Sequence, residues 1–243
     1  MLNHELIKKT EEFLKKKFND ATDFEKDDLP YRIEHTYRVA NIGREIAVRE
    51  DFDETEMVIA CLLHDISYYE ASGENRFWPE WKEHGRRSAQ ISRPFLEELG
   101  LPQERINDIC YGIAIHVDEE ADFEGEKTPF ALSIGDADNI DRFDAYRLHE
   151  MLSRFAFLEK TYEEQLEYVE KRISRLHELR EMPTATKTAD EMWKSRIDFF
   201  IVFFEKLLNQ LKQSRCIIDE RQQNESERIL EQCIGNEDLY SSF

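Results

Sequence analysis

Apolar residues recur along this chain with a helical period, and polar breaks separate one apolar stripe from the next. Leu6, Ile7, Phe13, Leu14 and Phe18 predict a first amphipathic helix over residues 3–18. An acidic connector follows and is broken by Pro30. Val39, Ile42, Ile46 and Ala47 form the stripe of a second helix, from near Ile33 to about Arg49. Thr55 is the expected N-cap of a third, which carries Val58, Ile59, Leu62 and Leu63 and ends in the adjacent polar pair His64-Asp65. Residues 71–83 hold Gly73, Pro79, Phe77, Trp78 and Trp81, and read as a loop that could serve as a lid. His84 opens a helix through Ser88, Ile91, Phe95 and Leu99, which Gly100-Leu101-Pro102 ends. Pro102 and Gln103 start another, closing at Ile115-His116-Val117. Pro129 opens a long helical stretch whose middle reads Ile134 to Asp141. Residues 162–182 and 185–213 give two more long helices hinged at Pro183, and the polar segment from Cys216 onward holds at most a short helix near Ile229. The expectation is an all-α fold.

Composition agrees with that reading. Eight Gly and six Pro in 243 residues are too few for a turn-dense sheet fold, and 40% hydrophobic residues supply a real core. The formal net charge of -20 repels phosphate backbones and anionic lipid, which argues against nucleic acid and membrane as partners. The run Phe199 to Phe204 is far shorter than the ~20 apolar residues of a membrane span. Cys61, Cys110, Cys216 and Cys233 lie without paired spacing, so buried free thiols are expected in place of disulfides or a zinc knuckle. The charged N-terminal stretch has no signal-peptide core, and the expected compartment is the cytoplasm.

The candidate chemistry starts at His64-Asp65. Burying an imidazole beside a carboxylate is costly unless a cation compensates both. A single histidine at a helix end is usually a structural boundary residue, but here the pattern is joint. His35 begins one helix, His64-Asp65 ends the next, His84 and His116 flank two more, and Asp138 interrupts an otherwise apolar one. Several helix ends converging on one point can complete a coordination sphere that a single helix cannot. Mixed imidazole and carboxylate donors suit manganese, iron, nickel, zinc or cobalt, and disfavour calcium.

The order His35, His64-Asp65, Asp138 resembles the signature of the HD superfamily of metal-dependent phosphohydrolases. Glu34-His35-Thr36-Tyr37-Arg38-Val39-Ala40 is similar to that family's first histidine block, and Asp136-Ala137-Asp138-Asn139-Ile140-Asp141 to its closing aspartate block. Met182-Pro183-Thr184-Ala185 through Phe204 resembles the helix that follows the core in small bacterial HD hydrolases. The resemblance implies a single HD-domain helical bundle with additional C-terminal helices. Its parts would be an N-terminal helix and connector (1–30), a metal-binding core (31–150), C-terminal helices completing the same domain (151–215) and a polar tail (216–243). It also implies a first metal on His35, His64, Asp65 and Asp138, and a possible second with His84 and His116. The double-histidine motif of the cyclic-di-GMP-cleaving branch is absent around His116, which argues against that branch.

The activity so implied is hydrolysis of a small phosphorylated substrate, with a nucleotide favoured, by a metal-activated water. A phosphomonoesterase, a phosphodiesterase and a nucleotide pyrophosphatase all fit. Asp65, Arg38 and Asp141 are the catalytic candidates, Asp141 as a partner orienting a ligand. Arg38, Lys82, Arg86 and Arg87 are candidates for phosphate binding and Trp78 for stacking on a base, with surface salt bridges and loop packing as their ordinary alternatives. Arg142 is a weaker candidate of the same kind. Two other readings compete: a di-iron oxygenase on the HD scaffold, and a metal-stabilised ligand sensor without catalysis.

Overall fold

The computed structural model describes residues 2–19, 28–71 and 83–214, so Trp78, Lys82, the candidate lid and the tail with its helix near Ile229 lie outside the described residues. Nine α-helices and no strand occur among the described residues. They are α1 (His4–Asn19), α2 (Asp28–Glu50), α3 (Glu54–Leu63), α4 (His84–Glu98), α5 (Gln103–Ile115), α6 (Pro129–Asp141), α7 (Ala145–Arg154), α8 (Tyr162–Arg180) and α9 (Lys187–Gln213). A 3₁₀ turn, Ile66–Ala71, follows α3. No helix of the described residues is long and apolar enough to cross a membrane.

The predicted stripes are the core. Leu14, Phe18, Val39, Ile46, Ile59, Leu62, Ile109, Ile134, Ile140, Ile197 and Phe204 belong to one buried apolar cluster that links the N-terminal helix to the last. Within it α2 packs on α3 and α6, α4 on α5, and α5 on α6. The α8–α9 hairpin joins through α9, which lies on α6 and α2. Two carboxylates help fasten that hairpin through its backbone N–H groups. The Asp136 carboxylate accepts the Ala185 backbone N–H at 2.7 Å, and the Glu50 carboxylate accepts the Thr188 N–H at 2.7 Å. Cys61 and Cys110 are free, buried thiols, as expected.

Three boundaries differ from the sequence reading, each for a local reason. α2 starts at Asp28, because Pro30 falls in its first turn, where a missing N–H costs nothing. α3 is capped by Asp53, whose carboxylate accepts the Glu56 N–H at 2.9 Å. Thr55 instead lies inside the helix, and its hydroxyl takes the Asn3 N–H at 2.8 Å. The long helix expected from Pro129 ends at Asp141. The Arg196 guanidinium donates to Ile140 O in its last turn at 3.3 Å and to Phe143 O just beyond it at 3.4 Å, while Asp144 caps the separate helix α7.

Candidate metal centre

Three helix ends and the interior of two helices meet where the sequence placed its polar residues. His35 comes from α2, His64 and Asp65 from the end of α3, His84 from the first residue of α4, His116 from the C-cap of α5 and Asp138 from α6. All six are buried. Asp65 stands between two groups. Its Oδ2 lies 3.8 Å from His35 Nε2 and 3.5 Å from His64 Nε2, and its Oδ1 lies 3.2 Å from His84 Nε2 and 3.5 Å from His116 Nε2. Asp138 Oδ1 closes the first group, 3.2 Å from His35 Nε2 and 3.9 Å from His64 Nε2. Two sets of three donors are therefore close enough to share an ion each, His35 with His64 and Asp138, and His64 with Asp65 and His116.

The imidazoles are held by their far nitrogens. His64 Nδ1 and His116 Nδ1 each lie 2.7 Å from a backbone carbonyl, Cys61 O and Ile113 O. A carbonyl can only accept, so Nδ1 carries the proton and the Nε2 lone pair of a neutral ring points into the cluster. His35 Nδ1 lies 2.7 Å from Asp141 Oδ2, and Arg38 grips the same carboxylate through Nε at 2.8 Å and Nη2 at 3.2 Å. Arg38 and Asp141 thus form a chain behind His35. An Asp141→Asn variant should lower metal affinity by roughly 10- to 100-fold with little loss of helix content, read by metal titration and circular dichroism.

His64 tests whether a cation fits. Its ring is fully buried, its Nε2 has no hydrogen-bond partner, and burial holds its pKa down at about 4. A bare lone pair beside two carboxylates is an arrangement that a bound cation relieves at once for all three groups. Charge around the cluster points the same way. Burial opposes a charge on His35, yet hydrogen bonds to Asp138 and Asp141 raise its pKa to about 9. Burial likewise opposes ionisation of Asp138, but His35 and Arg142 hold it well below the ordinary carboxylate range.

Close packing brings the second pair of histidines together. His84 Nε2 and His116 Nε2 are 3.2 Å apart, since α4 begins directly on the end of α5. Gly85 permits this: a Cβ there would stand 2.6 Å from Ala114 O and 3.0 Å from Ile113 O, both backbone. Gly85→Ala should force the helices apart, costing ~1–3 kcal/mol of stability by denaturant melt.

The phosphate-binding candidates divide. Arg87 is occupied by Glu70, donating through Nε at 2.7 Å and Nη2 at 2.6 Å, and Arg86 pairs with Glu83. Neither reaches a cluster residue through these bonds. Arg142 is closer to the chemistry: its Nη2 donates to Asp138 Oδ2 at 2.9 Å. Two neighbours were missed. Arg32 Nη1 donates to Asp65 Oδ2 at 3.2 Å while its guanidinium lies 3.8 Å over the Tyr68 ring, and Tyr31 stacks on His35 at 6.1 Å between centroids. Both stand one helical turn before His35, so the spacing that places Arg38 could have found them.

Residues 32–146 match the model of the HD domain family. The chain carries an HD domain. All six donors fall inside the matched stretch, and HD domains bind divalent metals. A solved structure of a predicted HD superfamily hydrolase from an uncultured Thermotogales bacterium is similar in fold, with a TM-score of 0.55 at 22% identity, covering 85% of this chain and 91% of that one. A comparison with curated proteins finds no match.

Proposed function

We propose that this HD protein is a metal-dependent phosphohydrolase, cleaving a phosphate ester or anhydride of a small molecule, with a nucleotide as the leading substrate class. The HD domain and the likeness to a predicted HD superfamily hydrolase support the coarser reading, a metal-dependent hydrolase. The observation that carries the proposal is Asp65, whose two oxygens face separate pairs of imidazoles beside the unpartnered Nε2 of His64. His35, His64, Asp65 and Asp138 would hold one divalent ion, and Asp65, His84 and His116 a second; bound there, they would supply a Lewis acid for a phosphoryl oxygen and would acidify a bound water toward neutrality. The chain's own part is positional and electrostatic. Arg32 and Arg142 each bond a carboxylate of the cluster and have further N–H groups to offer phosphoryl oxygens. Arg38 and Asp141 fix His35 from behind.

The same six donors would suit two irons in oxygen chemistry, but the guanidiniums of Arg32 and Arg142 beside them favour an anionic substrate. Metal analysis joined to a screen of nucleotides and phosphate monoesters with manganese, nickel, cobalt, zinc and iron separates the two. Phosphate release that needs one of these metals supports the hydrolase. Two irons per chain with oxygen consumption and no phosphate release would overturn it.

A further inference from the structure

Beside the centre, a cavity of about 450 Å³ opens between the end of α6 and helices α7, α8 and α9. Two residues on its wall touch the cluster: Tyr31, stacked on His35, and Arg142, bonded to Asp138. Arg147, Arg154 and Arg172 line it as well, and Glu150 is the one carboxylate among its described lining residues. In a chain of net charge -20 this concentration of positive charge is local and against the average. Glu150 is shared by Arg147 and Arg154, so it balances one guanidinium of the pair.

Arg172 has no such balance. It forms no ion pair among the described residues, its Nε is buried without a hydrogen-bond partner, and it also lines a neighbouring cavity of about 460 Å³ together with Arg142. Burial lowers its pKa, which is the mark of a cation taken out of water without a counter-ion. A half-buried guanidinium whose Nε is sealed without a partner stands at a cost, and a bound anion removes it. Phe143 and Phe200 line the same cavity as Arg172. Aromatic rings and guanidiniums lining one cavity suit a carbon skeleton that ends in negative charge.

From this geometry we infer that the cavity is a second-anion subsite: the substrate is a phosphate ester whose far end carries another phosphate or a carboxylate, held by Arg172 with Arg142 and Arg154 while the scissile phosphate lies at the centre. Its description as part of a substrate rests on the phosphohydrolase reading; the anion site itself does not. A monoanionic neighbour of the same length binds less well, because it leaves Arg172 unpaired.

The test titrates the full-length protein as purified, with no excess free metal, by isothermal calorimetry. The probes are alkane bisphosphonates of graded length, the matching carboxyalkylphosphonates and the matching alkylphosphonates, whose C–P bonds resist hydrolysis. One double-ended probe should bind roughly tenfold tighter than its single-ended match, as a charged hydrogen bond provides. Whether carboxylate or phosphonate gains more identifies the second anion. Arg172→Met should abolish the preference, Arg172→Lys should retain part of it, and Arg93→Met, whose guanidinium bonds Asn107 and does not line the cavity, should leave it whole. Should Arg172→Met fail to fold, the exposed Arg154→Met is read in its place, with a reduced preference expected. No preference in the unmodified protein, or one that survives these substitutions, overturns the subsite. Phosphate release without the preference would defeat the subsite alone, whereas the preference without any phosphate release would defeat the hydrolase reading and leave an anion site.

Discussion

Asp65→Ala is expected to empty the whole centre. The argument rests on its position between two groups of imidazoles: Oδ2 faces His35 and His64, and Oδ1 faces His84 and His116. Removing the carboxylate withdraws a donor and a negative charge from both sides at once. Asp138→Ala withdraws them from the His35–His64 side, and His84→Ala from the other. Elemental analysis of the purified variants should therefore show both ions lost in Asp65→Ala, and a partial complement kept in each of the other two. On the phosphohydrolase reading, phosphate release by Asp65→Ala should fall by about 10³-fold or more, because the variant would not hold the ions that would acidify a water. Arg32 adds a second consequence. It donates to Asp65 Oδ2, so the variant leaves a half-buried guanidinium short of its partner, and some loss of melting temperature should accompany the loss of metal. Full metal content in Asp65→Ala would sink the shared-carboxylate reading.

The parts of this site that could be read from sequence are those carried by local spacing. His64-Asp65 ends a helix too apolar to need it, and Asp141 lies one turn from Asp138, so both stood out before any packing was known. Tyr31 and Arg32 carry the same signal, standing one turn before His35. Arg172 carried none: it sits on α8 in an ordinary amphipathic pattern, and its place beside Arg142 depends on how α8 and α9 fold back on α6. Cap position fails for a related reason. Asp53 and Thr55 are both competent N-caps, and the choice is settled by the Asn3 N–H, a partner far away in the chain, which takes the threonine hydroxyl. Local chemistry is written in the neighbours, whereas convergence is written in the tertiary fold.

Stripping the ions should make stability depend on pH in a way the loaded protein does not share. Consider the chain with no cation between its donors. The His35 pKa lies at about 9 against an ordinary 6.5, because Asp138 and Asp141 outweigh the burial that opposes its charge. A raised histidine stabilises fully below its unfolded value, and that contribution is lost as pH climbs from 6.5 to about 9, at up to about 1.4 kcal/mol per pH unit. His64 acts in the opposite sense. Burial holds it at about 4, so the folded state loses stability as pH falls from 6.5 toward 4 and the unfolded chain takes up the proton. The stripped protein should accordingly be most stable near pH 6.5. Metal ions compete with the proton on His35, so their affinity should rise toward pH 9, approaching tenfold per unit where that proton is released on binding. Melting temperatures measured with EDTA and with added manganese should diverge progressively between pH 6.5 and 9, and proton release on titration with manganese should shrink over the same interval. A gap that stays constant across it would mean that His35 gives up no proton to the metal, and would remove it from the proposed ligand set.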